Sequence, residues 1–93
     1  MTSIVTAYCA CKLCTGTHHD LNLTAAGNRP HPQHTIAGPR AVHLGSSVII
    51  GGHTYTVEDH TAKRFDGRFD IFMRTHKEAV AFGKQKLTIT IVH

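Results

Sequence analysis

Residues 47–58 have the sequence SVIIGGHTYTVE, in which two runs rich in β-branched residues flank a pair of glycines. Gly51 and Gly52 can both adopt the positive φ angles that a tight hairpin turn requires. The runs on either side have the composition of β-strands. The stretch therefore predicts a β-hairpin, with strands over 47–50 and 54–58.

Further strand signals lie on both sides of this hairpin. Residues 87–92 alternate apolar side chains with threonine, as half-buried strands do. Other short apolar runs predict strands over 4–8, 42–44 and 69–73. By contrast, residues 9–39 contain three glycines and all three prolines, and we expect them to be mostly irregular.

One helix is predicted between the last two strands. Thr75 can cap it, with Glu78 three residues later completing a capping box, and Gly83 can end it. Ala79 and Phe82 then share a face that can pack on the strands. About six short strands and one helix favour a mainly β fold, a small barrel.

Length and charge limit what the chain can be. Its 93 residues leave room for a single domain, residues 1–93, which we expect to be monomeric. No apolar run approaches the roughly 20 residues of a transmembrane helix. The net charge is +4, but the basic residues are spread along the chain, so we expect no nucleic-acid partner.

Asp70 stands inside an apolar strand, where alternation places it on the face of Phe72 and opposite to Phe69 and Ile71. A carboxyl beside aromatic surface loses solvation and its pKa rises, as a general acid near neutral pH requires. The alternative is a strand aspartate that accepts backbone hydrogen bonds or pairs with a neighbouring arginine.

Asp59 lies eleven residues before Asp70, at the end of the preceding strand. Taken alone, it is most often a turn former. Two adjacent strands joined by a loop of this size can nevertheless bring both carboxyls to one end of a barrel. Paired carboxyls separate their pKa values, which leaves one protonated and one ionised.

Several segments resemble the bacterial and phage three-aspartate domain, which is similar to the catalytic barrel of membrane-bound lytic transglycosylase A. The resemblance covers nearly the whole chain in order and spacing, and its most specific part is the pair of aspartates. The matching segments are TAYCAC at 6–11, TAAG at 24–27, TIA at 35–37, LGS at 44–46, YTVED at 55–59 and GRFDIF at 67–72.

The resemblance implies a six-stranded double-psi β-barrel that cleaves peptidoglycan glycan strands without water, as a lytic transglycosylase, and needs no cofactor for catalysis. It implies that Asp70 is the catalytic acid and then the base, and that Asp59 supports it. Tyr8 and Thr24, in two of the matching segments, are expected to bind the substrate. The product is a 1,6-anhydro sugar.

Two departures from the family pattern bear on activity. The first of the family's three aspartates, expected just before Pro39, is Gly38 here. The family's usual glycine-rich turn after the second aspartate is replaced by residues 60–66, which changes the residues that would make the oxygen-binding contacts of that turn. Asp66 either substitutes in part for the contacts of that turn or is a solvated turn residue.

Cys9, Cys11 and Cys14 form a tight cluster in sequence. Three thiolates at this spacing can share a structural zinc ion, with His18 or His19 as fourth ligand. One disulfide with a free thiol left over, or three free thiols, are the alternatives. The long loop needs an anchor, which favours the metal.

Two other functions remain open at this stage. One is a polysaccharide-binding module of the expansin type, without cleavage, and the other is a small zinc-binding structural domain. The N-terminus has no secretory signal pattern. A protein acting on the cell wall or in the periplasm would therefore need release by phage lysis or excision from a larger protein.

Overall fold

The computed structural model describes residues 1–9, 24–61 and 67–92. Its elements in chain order are β1 Thr2–Tyr8, β2 Thr35–Gly38, β3 Ser47–Ile50, β4 His53–His60, β5 Phe69–Phe72, α1 His76–Phe82 and β6 Gln85–Val92. The strands form a closed barrel in the order β1-β5-β2-β4-β3-β6, and β6 pairs with β1. The mainly β fold, a six-stranded barrel with one short helix, is confirmed.

Two pairs of neighbouring strands are parallel, β1 with β5 and β2 with β4, and the other four pairs are antiparallel. Parallel neighbours cannot be joined by a tight turn and need a crossover connection. The consequence for the site is that β2 lies between β5 and β4, so residues distant in sequence become direct neighbours.

The β3–β4 hairpin forms as predicted. Ile50 pairs with His53 across a two-residue turn, and Gly51 and Gly52 have φ angles of 58° and 79°. Both values lie in the left-handed region, where glycine carries no steric penalty.

The interior of the barrel is filled by apolar side chains from all six strands and one turn. Alternation along each strand directs every second side chain inward. The buried cluster consists of Val5, Ile36, Val42, Val48, Val57, Phe69, Ile71 and Ile89.

The helix α1 has the predicted ends. The Thr75 side chain accepts a hydrogen bond from the Glu78 backbone N–H at 3.1 Å, and Gly83 follows the last turn with φ 69°. Ala79 is buried, Phe82 packs against the core, and the helix lies against β1.

The strand prediction over 42–44 is wrong. Val42 N–H donates to Pro39 O at 2.9 Å and Ser46 N–H to His43 O at 3.2 Å, so two consecutive turns occupy this segment. Val42 is apolar because its side chain enters the core from a turn, not from a strand.

The strand missing from the prediction is β2, inside the segment expected to be irregular. All four of its residues are buried, so its sequence shows no alternation of apolar and polar side chains. Its extended form depends on pairing with β4 and β5, which no local signal encodes.

Candidate active site

Asp59 and Asp70 flank the same residue of β2. Ala37 pairs with Asp70 on β5 and with Asp59 on β4. Directly paired residues point to the same face of a sheet, so the two carboxyls lie on the outer face on either side of the small Ala37 side chain. Two strand spacings separate their Cα atoms, roughly 10 Å.

A β-bulge in β4 places Asp59 on the same outer face as Asp70. Ile36 pairs with Val57, but the next residue of β2, Ala37, pairs with Asp59, so Glu58 is an extra residue on β4. Val57 points into the core, and strict alternation would send Asp59 inward as well. A bulge reorients the side chains that follow it, and it brings Asp59 to the outer face.

Asp70 lies in a partly desolvated position with one described hydrogen bond. Thr6, its direct partner across β1 and β5, donates from Oγ1 to Asp70 Oδ1 at 3.0 Å. Burial raises the pKa of Asp70 to about 6, although the Thr6 hydrogen bond and the charge of Arg68 lower it in part. Near neutral pH both protonation states of this carboxyl are therefore accessible.

The Asp59 carboxylate is engaged by backbone donors. Its Oδ1 accepts from the N–H of Ala25 at 3.2 Å and from its own neighbour His60 at 2.9 Å. These contacts fix the turn over residues 24–28 against β4. These contacts thus hold Asp59 on the outer face of the barrel that also carries Asp70.

Glu58, the bulge residue, has a role that the sequence did not suggest. Its Oε1 accepts from Thr35 Oγ1 at 2.6 Å and its Oε2 from Asn28 Nδ2 at 2.9 Å. His34 Nε2 lies 3.7 Å from Oε2, a contact that is an ion pair when the imidazole is protonated. Glu58 therefore ties the segment before β2 to β4.

The pKa of Glu58 moves in the opposite direction to that of Asp70. Burial acts to raise it, but the hydrogen bonds from Thr35 and Asn28 and the charges of His34 and His31 outweigh burial and lower it. Adjacent residues of a regular strand face opposite sides, so Glu58 and Asp59 share the outer face because of the bulge, which the sequence alone does not reveal.

Tyr8 lies on the same outer face as Asp70. Its ring packs edge-on against Phe72, with centroids 5.4 Å apart. Its buried hydroxyl has no hydrogen-bond partner among the described residues. Burial, together with the charges of Asp59, Asp70 and Glu58, raises the pKa of Tyr8, so this hydroxyl keeps its proton.

Thr24 is buried and its polar groups are used within a turn. Its Oγ1 donates to Asn28 Oδ1 at 2.7 Å, and its backbone N–H donates to Asn28 O at 2.7 Å. This turn carries Ala25, which contacts Asp59. Substrate binding by Tyr8 and Thr24 stays a prediction.

Gly38 packs closely against the core. A Cβ at this position would lie 3.0 Å from Phe69 Cε2 and 3.6 Å from Val57 Cγ1, both core atoms. A carboxyl at position 38 would thus point into the barrel. The replaced turn is described only at its start, and Asp66 lies outside the described residues.

Of the residues in the predicted zinc site, the structure describes only Cys9. Cys9 is buried directly after β1, with Sγ 4.0 Å from His76 Nδ1. Cys11, Cys14, His18 and His19 lie outside the described residues. Within residues 1–9, 24–61 and 67–92 no three side chains of metal-binding type come together. A zinc site stays a prediction.

No protein-family model and no curated protein matches this chain. The described part of the chain also has no helix long and apolar enough to cross a bilayer.

Proposed function

We propose that this protein is a peptidoglycan lytic transglycosylase in which Asp70 transfers the proton in both half-reactions. The observation that carries the proposal is the half-buried Asp70 carboxyl, with a pKa raised to about 6, on an outer barrel face shared with Asp59. The substrate class follows from the resemblance of six segments to the three-aspartate domain. The two parallel strand pairs support the double-psi topology that it implies.

In the first half-reaction Asp70 acts as an acid. Its protonated carboxyl donates to the glycosidic oxygen between N-acetylmuramic acid and N-acetylglucosamine, and the bond from that oxygen to C1 breaks. A carboxyl with a pKa near 6 is a stronger proton donor than water and is still partly protonated close to neutral pH.

In the second half-reaction the same carboxylate acts as a base. It accepts the proton of the muramyl 6-hydroxyl while that oxygen bonds to C1, which yields the 1,6-anhydro sugar. Asp70 ends protonated, ready for another cycle. No second carboxyl has to activate water, unlike in hydrolases with two catalytic carboxyl groups.

The neighbours of Asp70 fit this cycle. Thr6 orients the carboxyl through Oδ1 and stabilises its anionic form after the proton has left. Asp59 is held by the N–H groups of Ala25 and His60, so it contributes negative charge near the site without transferring the proton. This charge stabilises the positive character that develops at C1.

Digestion of purified sacculi in ¹⁸O-labelled water tests the proposal. A transglycosylase releases muropeptides with 1,6-anhydro ends that contain no ¹⁸O, whereas a hydrolase releases reducing ends that carry one ¹⁸O atom. Binding to sacculi without any product would favour the expansin-type module, and neither binding nor product would favour a structural domain. Either of these results, or ¹⁸O incorporation, contradicts the proposal.

A further inference from the structure

A cavity of about 390 Å³ opens at the end of the barrel where β5 leads into α1. This cavity, the mouth pocket, is lined by residues 32–33 before β2, Tyr55 of β4, residues 71–74 at the end of β5, and Glu78 of α1. Its volume lies within the range of small-ligand sites, and its lining combines aromatic rings with charged side chains. The mouth pocket therefore has the size and the chemistry of a binding site, and Asp70 is not part of its lining.

One wall of the mouth pocket is held in a strained conformation. Gln33 has a φ angle of 63°, the only positive value of a non-glycine residue in the described chain. Such a conformation persists only where the surrounding contacts enforce it. His53 supplies one of these contacts, because its Nε2–H donates to Gln33 O at 2.6 Å while its ring lies against the Tyr55 ring with centroids 4.5 Å apart. The turn and the aromatic wall are thus fixed to each other before a ligand binds.

Arg74 and Glu78 bring opposite charges to the mouth pocket without pairing with each other. Glu78 Oε1 accepts from Thr75 Oγ1 at 3.0 Å, but Oε2 accepts no hydrogen bond from a described residue. Arg74 has no hydrogen bond or ion pair with any residue that the structure describes. A guanidinium binds a carboxylate through two parallel hydrogen bonds, and a carboxylate oxygen accepts from an ammonium group. The mouth pocket therefore suits a ligand that carries both a carboxylate and an ammonium group.

The mouth pocket begins close to Asp70. Phe72, which lines the pocket, follows Asp70 by two residues on β5, or roughly 7 Å along the strand. Arg74 follows Asp70 by four residues, so their Cα atoms are at most about 14 Å apart. In peptidoglycan, the peptide stem is joined through a lactyl group to C3 of the same muramyl ring whose C1 reacts. Three extended stem residues span about 10 Å, and the lactyl group adds to this reach.

We propose that the mouth pocket binds the peptide stem of the muramyl residue that is cleaved. A stem carboxylate binds Arg74, the ammonium group of the stem's diamino acid binds Glu78 Oε2, and the apolar part of the stem packs against Tyr55. The identity of this ligand rests on the proposed transglycosylase activity. The consequence for specificity is that glycan with peptide stems is a better substrate than bare glycan.

Rates on two forms of glycan test this inference. Sacculi supply glycan with stems, and sacculi treated with an amidase that removes the stems supply bare glycan. In wild-type protein, release of anhydro ends should be about tenfold faster from the first than from the second, and Arg74→Gln should lower this ratio about tenfold, as the loss of one charged hydrogen bond does. Lys77→Gln, which removes an exposed positive charge outside the pocket, is the matched control and should keep the wild-type ratio. An unchanged ratio in Arg74→Gln, or an equal fall in Lys77→Gln, would overturn the inference.

An NMR titration with a soluble muramyl tripeptide, whose third residue is a diamino acid, measures binding without catalysis. The backbone amides of Gln33 and Tyr55 and the side-chain Nε–H of Arg74 should shift. Amidation of the stem carboxylates, or Arg74→Gln, should weaken binding about tenfold. Shifts at the mouth pocket without any anhydro product from sacculi would refute the transglycosylase activity but support the stem site. Anhydro product without these shifts would refute the stem site alone, and the absence of both would refute both.

Discussion

Asp70 and Glu58 are carboxyl groups on the same outer side of the barrel, yet their surroundings favour opposite protonation states. Asp70 has one described donor, the Thr6 hydroxyl, and burial dominates its pKa. Glu58 has hydrogen bonds from Thr35 and Asn28 and lies 3.7 Å from the His34 ring nitrogen, and its pKa is lowered. The supply of donors, not desolvation alone, decides which carboxyl can hold a proton.

This difference separates a group suited to proton transfer from a group suited to structure. The donors around Glu58, Asn28 and Thr35, come from the segment 24–35. Asp70 has one described side-chain donor, Thr6, so its second carboxyl oxygen accepts no described hydrogen bond. Variants at the two positions should therefore affect different properties of the protein.

The largest effect is expected for Asp70→Asn. The amide occupies the same space and can accept the Thr6 hydrogen bond, but it cannot donate a catalytic proton. The rate of anhydromuropeptide release from sacculi should fall by at least about 10³- to 10⁴-fold, the upper range for general acid–base catalysis. Asp59→Asn, the matched control, should cost less, because that residue transfers no proton.

Although Asp70→Asn should lose activity, its thermal stability should not fall. Because the folded-state pKa of Asp70 is raised from 3.8 to about 6, its contribution to stability is full below pH 3.8 and is lost as pH rises through 6. The Asp70→Asn side chain does not ionise, so the variant does not lose this stability as pH rises. Above pH 6 its Tm should therefore equal or exceed that of wild type. Activity within tenfold of wild type, or a clearly lowered Tm, would contradict this assignment.

Glu58→Gln, by contrast, should destabilise the folded protein. Its amide nitrogen replaces one acceptor oxygen, so the donors of Thr35 and Asn28 cannot both be satisfied. Thermal unfolding at pH 7 should show a destabilisation of about 1–3 kcal/mol, typical of an unsatisfied buried polar group. Because the pKa of Glu58 is lowered, its contribution holds at neutral pH and disappears as pH falls below 4.5.

The loss of stability in Glu58→Gln should therefore shrink in acid. An unchanged Tm at pH 7, or a loss that stays constant down to low pH, would show that Glu58 does not hold the segment before β2 through its charge.

A smaller effect is expected for Tyr8→Phe. The Tyr8 hydroxyl is buried without a partner among the described residues, so its removal should stabilise the protein by about 1 kcal/mol. Equilibrium denaturation measures this gain. Phe72→Leu, which keeps the hydroxyl but removes the ring contact, is the comparison variant and should be destabilised. A destabilised Tyr8→Phe would mean that the hydroxyl has a partner in the folded protein.

The features predicted from the sequence depend on local signals. The glycine pair specifies the β3–β4 hairpin, and the Thr75, Glu78 and Gly83 pattern specifies α1, because each acts within a few residues. Alternation in β5 correctly placed Asp70 away from Phe69 and Ile71. Thus the elements around the site, and the face on which Asp70 lies, could be predicted.

The features that the sequence did not reveal depend on contacts between distant residues. β2 is extended because it pairs with β4 and β5, and its four buried residues carry no periodic pattern. The bulge at Glu58 exists only in the register between β2 and β4. The donors of Glu58 are Thr35, the first residue of β2, and Asn28, in the turn over 24–28, and the pairing of β2 with β4 brings Thr35 next to Glu58.

The central claim is that one outer face of the barrel raises the pKa of the Asp70 carboxyl to about 6 while the pKa of Glu58 is lowered. An NMR titration of the side-chain carboxyl carbons measures both groups in the same sample. We predict a midpoint near pH 6 for Asp70 and a midpoint below 4.5 for Glu58. A midpoint for Asp70 at or below that of Glu58 would contradict the claim.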